Sequence, residues 1–159
     1  MGDFYDFFLT LNLRPVLSAA ELAELRWHLG LGPQPAELTI LTDFPEVVLD
    51  ENGKAEVDDN GDWRVENAPR PVLARRGAAW RLGGALFSLL EPRTEGWALT
   101  TRQELHPDEY QHVDRLLDWL GSRANSDFGC YAGYERFYEE DTITRRLVIE
   151  DSTIRRREP

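Results

Sequence analysis

The sequence has one cysteine, Cys130, and one lysine, Lys54. A single thiol cannot close an internal disulfide, so the fold must rest on its core, and a reducing, cytoplasmic setting is expected. Apolar runs such as Ala85-Leu86-Phe87 and Leu89-Leu90 fall far short of the roughly 20 residues of a membrane span, so no membrane partner is expected. The stretch Met1 to Asp6 has neither the basic nor the apolar region of an export signal, and none is read. Three scattered histidines and one cysteine give no zinc-ligand spacing. Glu56-x-Asp58-x-Asn60-Gly61 has the look of a calcium-loop opening, but Glu56 and Asn67 stand where Asp and a bidentate Glu are needed. Turn chemistry is the better reading there. No Gly-x-Ser-x-Gly elbow occurs, and Gly30-Leu31-Gly32 follows a helix where a phosphate cradle would open one. The expectation is therefore no metal and no cofactor.

What is present suffices for a core. The 159 residues are 42% hydrophobic and 11% aromatic, enough for a single α+β domain over 1–159. The formal net charge of −11 repels nucleic-acid phosphates, so no nucleic-acid partner is expected. That charge suits a basic protein partner, although solubility alone also explains it. Arginine so dominates the basic residues that GC-rich coding, which disfavours lysine codons, is the simplest cause.

Strict alternation over Tyr5–Leu13 predicts a strand, with Tyr5, Phe7, Leu9, Leu11 and Leu13 on one face. Ser18-Ala19-Ala20-Glu21 is a capping box, and a helix should run from it to about Leu29, burying Leu22, Leu25 and Leu29 and stopping at Gly30. Residues 36–44 have a β-like centre and could be a short strand. Residues 45–71 carry two Asp-rich turns and a plausible hairpin, Val47–Leu49 against Ala55–Val57, and form an excursion from the domain. Residues 72–91 look strand-rich, with a loop at 92–96 and a further strand from Trp97 to Leu105. Pro107 should open a second helix with Tyr110, Val113, Leu116, Leu117 and Leu120 buried, ending at Gly121. Strands over 128–138 and 143–149 surround an acidic turn, and 152–157 could add an edge strand.

Phe8-Leu9-Thr10-Leu11 and its helix are echoed by Ala98-Leu99-Thr100-Thr101 and its helix. Such a repeat implies a mainly antiparallel sheet with two helices on one face, either a duplicated β-α-β-β (ferredoxin-like) unit or a larger duplicated sheet.

Two sets of residues are candidates for a binding site. Tyr131, Tyr134 and Phe137 lie in an aromatic strand with intervening glycines; core packing explains them, and so does a binding surface. Arg102, Glu104, His106 and His112 lie near the end of the strand before the second helix, where a groove between the halves would form. No residue stands out as catalytic, and Cys130 reads as a buried structural thiol.

Phe128-Gly129-Cys130-Tyr131-Ala132-Gly133-Tyr134 through Glu139-Glu140-Asp141, with Leu99-Thr100-Thr101-Arg102 and Leu117-Asp118-Trp119-Leu120, resembles small bacterial proteins of unassigned function. The resemblance covers about the last third of the chain. It implies a compact bacterial domain and carries no activity or functional residue. The function expected is non-enzymatic: a protein-interaction or ligand-binding domain, self-associating or immunity-like against a basic partner. The alternative is a small enzyme or small-molecule binder with its site between the two halves.

Overall fold

The alternating segment Tyr5–Leu13 forms a strand, β1, which lies at the centre of the main sheet in a computed structural model describing residues 2–159. Phe7, Leu9, Leu11 and Leu13 are buried on one face. β1 pairs antiparallel with β6 (Gly96–Leu105) on one side and with β8 (Tyr131–Phe137) on the other. Beyond β8 lie β9 (Arg145–Glu150) and β10 (Thr153–Arg157); beyond β6 lie β5 (Ala85–Arg93) and β4 (Gly77–Ala78). The short β7 (Ala124–Asn125) also pairs with β1, which completes eight strands, all antiparallel. A separate two-stranded sheet joins β2 (Pro45–Val47) to β3 (Val65–Asn67). With two helices among the described residues, α1 (Ala19–His28) and α2 (Tyr110–Arg123), the fold is α+β with a mainly antiparallel sheet, as expected.

Both helices cover one face of the sheet. Leu25 and Leu29 from the first helical segment, and Val113, Leu116, Leu117 and Leu120 from α2, join Phe7, Leu9, Leu99, Leu105, Leu147 and Ile154 in one core. Each fully buried leucine contributes roughly 2 kcal/mol. The capping box forms as expected: Glu21 N–H donates to Ser18 Oγ at 3.1 Å and Ser18 N–H to the Glu21 carboxylate at 3.0 Å. Gly30 follows at φ +70 and closes the helix. Among the described residues no helix is long and apolar enough to cross a membrane.

Four local expectations need correction. Residues 36–44 form no strand, because the N–H groups of Thr39, Ile40 and Leu41 are taken by the buried Glu24 carboxylate of α1 and are not offered to a neighbouring strand. Gly121 does not end α2. A Cβ there would lie 2.3 Å from Thr153 Cα, so the glycine lets β10 cross the helix at close range while the helix continues to Arg123. Cys130 is exposed, because β8 begins only at Tyr131. Beneath residues 39–41, His28 is buried beside Glu24, and burial, outweighing that carboxylate, pushes its pKa down. Of the strand-rich stretch 72–91, β4 and the start of β5 are strand, and β5 continues through the expected loop to Arg93.

Candidate functional site

Around Glu104 the end of β6 becomes a cleft wall. This glutamate is buried, and its carboxylate accepts the N–H groups of Trp80, Arg81 and Leu82. Three consecutive amides on one carboxylate form a strong, charge-assisted anchor. The same device appears at Glu24, where burial pushes the carboxyl up but the amides of Ile40, Leu41 and Thr39, together with His28, hold it below its usual range.

The anchored segment places Trp80 at the rim of a cleft of about 900 Å³. One side is the end of β6, the 3-10 turn Pro107–Glu109 and the start of α2; the other is the connection 70–80. Its apolar lining includes Phe4, Val72, Trp80 and Leu86. Trp80 is 74% exposed, with the Phe4 ring edge-on at 5.5 Å and the Arg81 guanidinium 4.6 Å above its ring.

The polar lining divides into committed and uncommitted groups. Glu109 accepts from His106 N–H at 2.8 Å and pairs with Arg75 at 2.9 Å. His106 Nδ1 accepts from Asp108 N–H at 3.1 Å, which makes this imidazole the cap of the 3-10 turn. Arg76 reaches the Gly30 carbonyl at 2.7 Å. Arg70 has no ion-pair or hydrogen-bond partner among the described residues. His112 is 8% exposed and rests 4.8 Å from the Phe44 ring, and its Nδ1 has no hydrogen-bond partner there. Burial, then the Arg70 and Arg115 guanidinium groups, outweigh Asp43 and hold the His112 pKa below its usual value.

Of the residues singled out in the sequence, Glu104, His106 and His112 therefore come together. Arg102 shares the Glu104 face of β6, opposite the helices, but does not line the cleft; its guanidinium and that of Arg136 bracket the buried Asp6 carboxylate at 3.0 and 3.3 Å. Tyr134 stacks on Phe8 on that same face at 5.4 Å, and burial, then Asp6, raise its pKa. Phe137 packs against Tyr5 and Tyr138. Tyr131 is 57% exposed and lines a smaller cavity of about 200 Å³ with Phe128 and Asn12. A bulge between Tyr131 and Gly133 breaks the alternation of this strand, and Glu135 is buried on the helix side against Arg156 and Arg145 at 2.7 and 3.4 Å. Sequence reading missed Phe4, Arg70, Arg75, Arg76 and Trp80. Three arginines within seven residues of a strongly acidic chain were the available signal.

No family model, curated protein or solved structure matches the chain.

Proposed function

We propose that the protein is a non-enzymatic ligand-binding domain whose cleft takes a small organic anion with an apolar body. The observation that carries this reading is the uncommitted Arg70 guanidinium beside the buried, unpartnered His112, facing apolar walls and an exposed Trp80. A volume of about 900 Å³ suits a small molecule. Arginine offers a planar fork that matches carboxylate or phosphate oxygens. Among the described residues the lining holds no Ser, Thr, Cys, Lys or Tyr to act as nucleophile, and its buried carboxylate is spent on three amides. Binding is therefore favoured over covalent catalysis by a hydroxyl, thiol or amine nucleophile.

The test is calorimetric titration with indole-3-acetate, 4-phenylbutyrate and phenyl phosphate beside their uncharged alcohols. The anions are expected to bind, the alcohols at least about tenfold more weakly, and Arg70→Ala to remove the difference. Equal affinity for anion and alcohol would end the anion reading; no binding by either class would end the ligand reading.

A further inference from the structure

Residues 45–67 contain an eight-residue tandem repeat. Leu49-Asp50-Glu51-Asn52-Gly53-Lys54-Ala55-Glu56 is followed by Val57-Asp58-Asp59-Asn60-Gly61-Asp62-Trp63-Arg64, and Val65 opens a third register. The two copies fold alike. Asp50 Oδ1 accepts from Asn52 and Lys54 N–H at 2.8 and 3.0 Å, and Asp58 Oδ1 accepts from Asn60 and Asp62 N–H at the same distances. Gly53 and Gly61 take φ +78 and +82, and each donates to the carbonyl of its Asp. Each turn closes a hairpin, through the bridges Leu49↔Ala55 and Val57↔Trp63, while β2 and β3 pair at the base.

This register decides which side chains share a face. Directly opposed residues point the same way, as do residues two apart on one strand. Val47 opposes Val65, Leu49 opposes Ala55 and Val57 opposes Trp63, so Val47, Leu49, Ala55, Val57, Trp63 and Val65 occupy one side. The other side carries Glu46, Val48, Glu56, Arg64 and Glu66, with Glu56 and Arg64 paired at 3.2 Å. The apolar side is uncovered: Leu49, Val57, Trp63 and Val65 are 54–66% exposed. Among the described residues no strand of the main sheet pairs with this arm. An apolar sheet face left in water on a projecting arm marks an interaction surface.

The arm's charge selects the occupant. Its 23 residues hold eight acidic side chains and two basic ones, and both turn tips are acidic. Two copies of the arm would repel each other, and so would an anionic membrane or nucleic acid. We infer that the face docks a basic protein, one that lays an apolar strand or groove, rimmed by Lys and Arg, over Val57, Trp63 and Val65. This inference is independent of the cleft, which none of these residues lines.

The probes are synthetic decapeptides alternating Val with Lys, Ser with Lys, and Val with Glu, titrated into the full chain and followed by amide NMR and calorimetry. The Val–Lys peptide is expected to bind, with shifts confined to residues 45–67, and the other two at least about tenfold more weakly. Trp63→Ser should weaken the Val–Lys peptide about tenfold. Asp58→Asn with Asp62→Asn should weaken it and flatten its salt dependence; both variants keep the amide spectrum of the main sheet. Equal binding of the Ser–Lys peptide, indifference to Trp63→Ser, concentration-dependent dimerisation through residues 45–67, or binding to phosphatidylglycerol vesicles would each overturn the proposal.

Discussion

Replacing Glu104 with glutamine preserves the shape of the side chain that holds the cleft wall and removes its charge. The carboxylate is 4% exposed and accepts from three successive amides. A glutamine oxygen has lone pairs for two of them, and its NH2 group confronts the third as another donor. Charge-assisted bonds contribute about 1.5–3 kcal/mol, neutral ones about 0.5–1.5 kcal/mol, and a buried unpaired donor costs about 1–3 kcal/mol. A total loss of at least about 3 kcal/mol follows, which in a chain of this size lowers Tm by roughly 6 °C or more. Calorimetry measures that fall, and titration with phenyl phosphate measures what releasing Trp80 does to the cleft, with an expected loss of about tenfold in affinity. Glu24→Gln is the control. It removes a second carboxylate that holds three amides, but Glu24 does not line the cleft. Its Tm should fall comparably while anion affinity stays at the wild-type value. A Glu104→Gln Tm within about 2 °C of wild type would show that the three bonds do not anchor the wall.

Other perturbations test the fold and its ionisable groups. Gly121→Ala places a methyl group 2.3 Å from Thr153 Cα, and overpacking of this kind costs about 1–3 kcal/mol, read as a lower urea midpoint with β10 amides losing exchange protection. Asp6→Asn leaves Arg102 and Arg136 without their shared counter-charge and should cost about 3 kcal/mol in the same assay. His28 and His112 are both held below the ordinary imidazole value of 6.5. The unfolded chain thus takes up protons first, so their contribution to stability is complete above pH 6.5 and is lost as pH falls through their folded values. The urea midpoint should be level from pH 8 to about 7 and decline below 6.5, with His112→Phe removing part of the decline; a midpoint unchanged down to pH 5.5 would contradict the burial argument.

Patterns confined to a few neighbouring residues were legible before the structure. The alternation of β1, the Ser18–Glu21 capping box and the stripe of α2 each express a local periodicity or bond, and each formed where expected. The failures involve distant partners. Glu24 looks like one more charge on a helix until residues 39–41 fold over it, and a strand was expected where those amides are consumed. Gly121 carries the residue type of a helix stop, and only the approach of Thr153 reveals its other use. The cleft draws on Phe4, residues 70–80 and residues 104–112, three stretches with no shared local signature. The repeat in the arm was different: its Asp-x-Asn-Gly spacing stood in plain view, and only the cross-strand register was needed to see that its apolar residues share a side.

The place of β1 has a consequence for biosynthesis. Tyr5 faces Leu105 on one side and Phe137 on the other, so this central strand has no partner until segments about a hundred residues downstream have been made. At translation rates of roughly 5–20 residues per second, it waits roughly 5–20 seconds with both edges bare and four apolar side chains uncovered. During that interval the nascent chain is a natural client for chaperones. A chain cut short before β8 would leave β1 permanently with one open edge at the middle of its sheet, the site from which aggregation would start.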